Sequence, residues 1–157
     1  MMRKIILLIL LLCLSPLLPP SPEPVRAGQN EVREDARRGF EEILDLWRAE
    51  EFDRLYERVI PGNGLGREYF VERLVYASRI PTCCWEKIQD VSVTYLDDQR
   101  VSLTARVGLE VEGVGTRFVT RTFYLVWVSG VWKVPMADIL SLAEPNMQRV
   151  PRKIYEK

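Results

Sequence analysis

The sequence contains no histidine, the side chain that most often serves as a general base near neutral pH and most often binds metal. Ser-His-Asp and Cys-His catalysis and histidine-zinc chemistry are excluded with it. Excess charge is also missing: 22 Lys and Arg stand against 22 Asp and Glu in 157 residues, so nucleic-acid binding through phosphate neutralisation is not expected. Cysteine is scarce, at three residues, too few for a four-cysteine zinc site. No apolar run reaches the roughly 20 residues that a membrane-crossing helix needs. No internal repeat occurs, and the composition, 47% hydrophobic and 28% charged, is that of an ordinary globular chain.

The amino terminus has the pattern of an export signal. Arg3 and Lys4 precede an apolar run of ten residues at 5–14, and five prolines in residues 15–26 prevent a helix from continuing. The small residues around Val25-Arg26-Ala27 place a cleavage point after Ala27; an uncleaved short anchor is the alternative, and it is the only membrane contact expected. Cys13 follows Leu10-Leu11-Leu12 as in a lipobox, but Leu12 stands where that motif has a small residue, so Cys13 reads as part of the apolar run. Removing residues 1–27 takes Arg3, Lys4, Arg26 and Glu23, leaving 19 basic against 21 acidic residues and a net charge of −2. The expected organisation is therefore an export segment at 1–27, one domain at 28–145 and a mildly basic tail at 146–157. The expected location is periplasmic or extracellular.

The domain begins with helical periodicity. Val32, Ala36, Phe40, Ile43, Leu44 and Trp47 recur at spacings of three and four, with Asn30 as N-cap and a charged opposite face on which Glu34 and Arg38 are spaced to pair. A second helix is expected over residues 51–59 and a third over 67–78, where Ile80-Pro81 stops it. Between them, Pro61-Gly62-Asn63-Gly64-Leu65-Gly66 has alternate glycines, but no strand precedes it and no Lys-Ser or Lys-Thr follows, so it is not a phosphate loop.

From Trp85 the period becomes two. Residues 101–111 are apolar at every odd position, with Ser102, Thr104, Arg106, Gly108 and Glu110 between, which gives a strand with one wet face. Turn residues divide the region into strands at 87–96, 100–112, 116–128 and 131–136, and such short connections require an antiparallel meander. A three-residue loop at 113–115 pairs Glu112 with Thr116, and a two-residue turn at Ser129-Gly130 pairs Trp127 with Trp132. One face then collects Val91, Val93, Tyr95, the odd residues of 101–111, Val119, Phe123, Leu125, Trp127, Trp132 and Val134, with Arg117 and Arg121 as its charged exceptions. The expected fold class is α+β, three N-terminal helices packed on a curved four-stranded antiparallel meander.

The element order, with residues 40–47 (FEEILDLW), Phe52-Asp53-Arg54-Leu55-Tyr56 and Gly130-Val131-Trp132-Lys133-Val134, resembles the nuclear-transport-factor-like, ketosteroid-isomerase-like cone superfamily over about residues 31–143. The small extracytoplasmic members, including amino-terminal domains of some transpeptidases, are the nearest in character. The resemblance implies a conical cavity between the sheet and the first and third helices. It implies no reaction, since the superfamily holds enzymes and plain binding domains alike and no catalytic motif of theirs matches here.

Candidates for function follow from these placements. Arg121, a permanent charge on an apolar strand face, needs a helix carboxylate such as Asp45 or Glu41, or else an anionic ligand. Trp47, Tyr56, Tyr76 and Tyr95, with Tyr69 beside them, are candidates to line a ligand pocket or simply to pack. Cys83-Cys84 is a redox candidate or a pair of thiols in a tight turn, since a vicinal disulfide would be strained. Tyr124, Val126, Val128 and Val131 form an apolar patch on the outer face, suited to a homodimer or a protein partner. No metal and no cofactor is expected. The function expected is an exported, non-catalytic cell-envelope domain that binds a protein partner or small ligand, the alternative being an isomerase- or dehydratase-like enzyme using the cavity.

Overall fold

The computed structural model describes residues 25–62 and 64–144, with side chains from Gly28 onward. Cys13, most of the export segment and the basic tail lie outside the described residues, as does Asn63. The elements run α1 (Val25–Arg48), α2 (Phe52–Glu57), β1 (Val59–Ile60), α3 (Arg67–Val75), β2 (Arg79–Pro81), a 3-10 turn (Cys84–Glu86), β3 (Ile88–Asp97), β4 (Arg100–Val111), β5 (Gly115–Val128), β6 (Val131–Pro135) and α4 (Met136–Ala143). Among the described residues no helix is long and apolar enough to cross a membrane.

The fold is α+β, but the expected architecture is overturned: four helices accompany a six-stranded mixed sheet, in place of three N-terminal helices on a four-stranded antiparallel meander. Three elements make the difference. β1 joins the far edge of the sheet, parallel to β6, through Val59↔Val134 and Ile60↔Pro135; two residues are too few to register as a period. β2 pairs antiparallel with β4, Pro81 lying opposite Leu109. That proline reads in sequence as a helix stop, yet at a sheet edge its missing N–H costs little. α4 is buried at Met136, Ile139, Leu140, Ser141, Leu142 and Ala143. A helix buried on nearly every side has no polar stripe to reveal its period.

Within the meander the strand ends fall within one residue of expectation, and Trp127 pairs with Trp132 across the Ser129-Gly130 turn. The β4–β5 loop is shifted: Glu110, rather than Glu112, lies opposite Thr116, and the connection is Glu112-Gly113-Val114. A shift of two residues preserves parity, so the expected inner face survives. Val101, Leu103, Ala105, Val107, Leu109, Phe123 and Leu125 are all fully buried beneath the helices.

α1 begins at Val25, so Asn30 lies inside the helix rather than at its cap and accepts a bond from Arg33 Nη1 at 3.3 Å. Its stripe, Ala36, Phe40, Ile43, Leu44 and Trp47, is buried as its spacing requires, and the Phe40 and Phe123 ring centroids lie 4.5 Å apart. The expected Glu34–Arg38 pair is replaced: Arg38 bonds Asp35, and Arg37 bonds Glu41 at 3.3 Å. Gly39 marks where the helix crosses the sheet, because a Cβ there would lie 2.9 Å from Trp132 Cβ and Cδ1.

Two polar side chains lock this crossing. Arg58, at the end of α2, is buried and donates from Nε to the Trp132 carbonyl at 3.1 Å and from Nη2 to the Gly39 carbonyl at 3.4 Å, while Nη1 pairs with Glu42 at 2.8 Å. Trp132 Nε1 donates to Asp35 Oδ2 at 2.8 Å. The first helix, the second helix and the last strand are thereby joined through one guanidinium and one indole.

Candidate functional site

The interior does not collect the pocket candidates into one site. Trp47 is 1% exposed in the core, and its indole N–H finds no acceptor among the described residues. Tyr56 is half-buried against Phe70, with ring centroids 5.9 Å apart. Tyr69 packs on the rim of the same core. Tyr76 lies in water beyond α3. Tyr95 donates its hydroxyl to Asp98 at the β3–β4 turn, far along the sheet. Arg121 donates to Ser141 Oγ on α4, and Ser141 in turn donates to the Asp138 carbonyl at 2.8 Å.

The carboxylates proposed for Arg121 are engaged elsewhere: Asp45 pairs with Lys87 at 2.7 Å, and Glu41 with Arg37. α4 thus supplies the contact for Arg121 and packs against α3, β2 and β6 on the side where an open cavity would lie. The Tyr95 phenol is held above its ordinary range by its bond to Asp98 and by desolvation. The Asp97 carboxyl is held below its range, chiefly by Arg100 and then by the Gln99 N–H.

Two open clefts mark the surface. One of ≈ 380 Å³ is lined by Glu50, Phe52, Arg54 and Val71. The other, of ≈ 330 Å³, lies over the Asp35, Arg58 and Trp132 lock. The polar groups of that lock bond one another, so its chemistry is structural. On the outer sheet face, Tyr124, Val126 and Val128 follow each other along β5 and Val131 stands opposite Val128, so the structure does bring this patch together. Tyr124 and Val128 are exposed while Val126 and Val131 are half-buried. Arg106 lies over the Phe118 ring at 4.1 Å on the same face, and the Thr104 and Thr122 hydroxyls bond at 2.8 Å.

The more unusual construction is on the opposite sheet edge. β2 and β3 both pair with the same side of β4, β2 at residues 109–111 and β3 at 100–107. Thr82 N donates to the Gly108 carbonyl at 3.0 Å, and Gly108 N donates to the Lys87 carbonyl at 3.2 Å. Residues 83–86 are therefore looped out of what would be one continuous edge strand, as an enlarged bulge. Gly108 permits this, since a Cβ there would meet the Glu86 carbonyl oxygen at 2.2 Å and Thr82 Oγ1 at 2.6 Å. Cys84 takes a left-handed backbone conformation (φ 61°), which reverses the chain at the loop's tip.

The loop carries Cys83, Cys84 and Trp85. Both thiols are free and exposed, and Trp85 is 74% exposed. Arg48 anchors the base of the loop by donating to the Pro81 carbonyl at 2.6 Å and to Glu110 at 2.7 Å, and Lys87 anchors it to Asp45. The Cys84 thiol is pushed above its ordinary range, first by a hydrogen bond with Cys83 and by the neighbouring sulfur's charge, against which Arg48 and Lys87 act only weakly. Just upstream, Val75 and Tyr76 are 55% and 80% exposed, and Ile80 is 38% exposed. Four of the eight exposed large apolar side chains among the described residues thus fall in residues 75–85.

Trp85 as a surface group, Gly108 as the loop's seat and Arg58 as the buried lock were not identified from sequence. A glycine in the middle of an otherwise regular strand pattern is the one signal that could have marked the loop. Compared with known proteins, the chain matches no protein-family model and no curated sequence.

Proposed function

We propose that this is an exported, non-catalytic cell-envelope domain that binds a protein partner through the surface formed by residues 75–85. The observation that carries this reading is the occurrence of exposed Val75, Tyr76, Ile80 and Trp85 within eleven residues, Trp85 on a loop whose two ends bond Gly108. Exposed apolar groups gathered in one region are more informative than singly scattered ones. Aromatic anchors of this kind carry much of the energy of protein interfaces. The alternative of a small-molecule enzyme needs an interior cavity, and the side of the sheet where it would lie is occupied by α4 and by the Arg121–Ser141 contact. Export is inferred from residues 1–14.

The reading is tested by placing a photo-crosslinking residue at the loop, Trp85→p-benzoylphenylalanine, and at the other end of β3, Leu96→p-benzoylphenylalanine, in the full-length chain expressed in its own cell. The expected result is a discrete adduct in the extracytoplasmic fraction from position 85 and none from position 96. Equal crosslinking at both positions, no adduct at 85, or a small molecule retained in the native mass spectrum would each refute it.

A further inference from the structure

Cys83 and Cys84 are adjacent, exposed and directed close enough to share a hydrogen bond, on a loop whose ends are both bonded to Gly108. We propose that the two thiols form a chelating site for a soft monovalent cation that favours two ligands, copper(I) being the representative. The assignment is independent of the partner-binding surface and rests on three physical points.

The first is ligand number. No group of three or more Cys, Asp or Glu able to hold a metal converges among the described residues, so the four ligands of a structural zinc site are not at hand. Thiolate sulfur selects soft cations. Two sulfurs alone suit a closed-shell monovalent ion that is satisfied with linear coordination.

The second is geometry. A disulfide would require the sulfurs to close to about 2.05 Å and the two Cβ atoms to about 3.8 Å. Across one trans peptide that distorts the backbone, and this backbone is clamped by Thr82 N to the Gly108 carbonyl, Gly108 N to the Lys87 carbonyl and Lys87 N to the Cys84 carbonyl. A cation bridging two sulfurs at bonds of about 2.3 Å lets them stay as much as roughly 4.6 Å apart, so the loop can keep its shape. The extended Cys83 (φ −85°, ψ 166°) followed by left-handed Cys84 is already a turn, not a strand that sends successive side chains to opposite faces.

The third is charge. Binding converts two thiols and one cation into a bis-thiolate complex of charge −1, with both thiol protons released to solvent and no change of oxidation state. The cationic side chains of Arg48 and Lys87 anchor the base of the loop that would carry this negative charge.

The test uses the full-length chain carrying Cys13→Ser, kept reduced and anaerobic, so that Cys83 and Cys84 are its only thiols. Copper(I) is supplied as its bicinchoninate complex, and transfer is followed by the loss of the chelator's colour and by native mass spectrometry. One copper per monomeric chain is expected. Cys83→Ser and Cys84→Ser are each expected to lose more than about a hundred-fold in affinity. A copper-bridged dimer with one copper per two chains, or a single variant that binds as well as the parent, would overturn the chelate. So would protein purified without metal whose intact mass is two hydrogens low and whose thiols are unreactive, because the pair would then be a disulfide.

Discussion

Gly108→Ala tests whether the loop at residues 83–86 is seated by close approach or merely lies over the sheet. The new Cβ would fall 2.2 Å from the Glu86 carbonyl oxygen and 2.6 Å from Thr82 Oγ1. The nearer of these is backbone, which cannot swing aside as a side-chain tip can. The loop must therefore lift, and lifting breaks Thr82 N to Gly108 O at 3.0 Å, Gly108 N to Lys87 O at 3.2 Å and Thr82 Oγ1 to Gly108 O at 3.3 Å. At about 1 kcal/mol net for each bond the loss is about 3 kcal/mol. Alanine offsets about 0.5–1 kcal/mol of this through its lower conformational entropy in the unfolded chain. A net destabilisation of about 2–3 kcal/mol should lower Tm by roughly 10 °C for a domain of this size. Urea unfolding followed by tryptophan fluorescence measures it. Gly66→Ala is the control, since a Cβ there meets nothing within 4 Å, and it should stay within about 0.5 kcal/mol of the parent. The reasoning fails if Gly108→Ala is no less stable than Gly66→Ala.

Two further outcomes follow from the buried lock and the β3–β4 turn. Arg58→Met keeps most of the apolar stem but leaves the Trp132 and Gly39 carbonyls without their guanidinium donors; a loss of about 2–3 kcal/mol in urea denaturation is expected, and a change under about 1 kcal/mol would count against the lock. Tyr95 has its pKa raised above 10.0 in the fold by its bond to Asp98, so that bond's contribution is complete below pH 10.0 and fades as pH climbs through the folded value. Tyr95→Phe should therefore be less stable than the parent at pH 8, with the gap narrowing above pH 10.0; a gap that stays constant across that range would contradict the assignment.

The meander was legible because two simple periods met at it. Alternation over residues 101–111 decides which side chains are buried, and the Ser129-Gly130 turn then fixes Trp127 against Trp132. Even the misplaced β4–β5 loop did no harm, because an even-numbered slip returns every residue to the same face. Other elements carry no such signal. β1 is two residues whose identity as a strand depends wholly on β6, a partner more than seventy positions away. Met136–Ala143 is apolar nearly all round, so it could be recognised only by what surrounds it. For Arg121 the carboxylates considered from sequence were Asp45 and Glu41, whereas one of its contacts, Ser141, lies on the helix the periodicity missed. The loop at Cys83 and Cys84 was visible as unusual chemistry, but its seat at Gly108 is a tertiary contact that no local pattern encodes.

The lock between the first helix and the last strand also governs when this molecule can become itself. Asp35 waits for Trp132, 97 residues later, and Arg58 waits for the carbonyl of that same tryptophan. While the chain emerges from the ribosome, its amino-terminal half carries a glycine notch whose crossing closes only once residues 131–135 of β6 have been made. Contacts of such long sequence separation delay the completion of a core. The core of such a chain is closed from its far end, when β6 folds back onto a helix residue made 97 positions earlier.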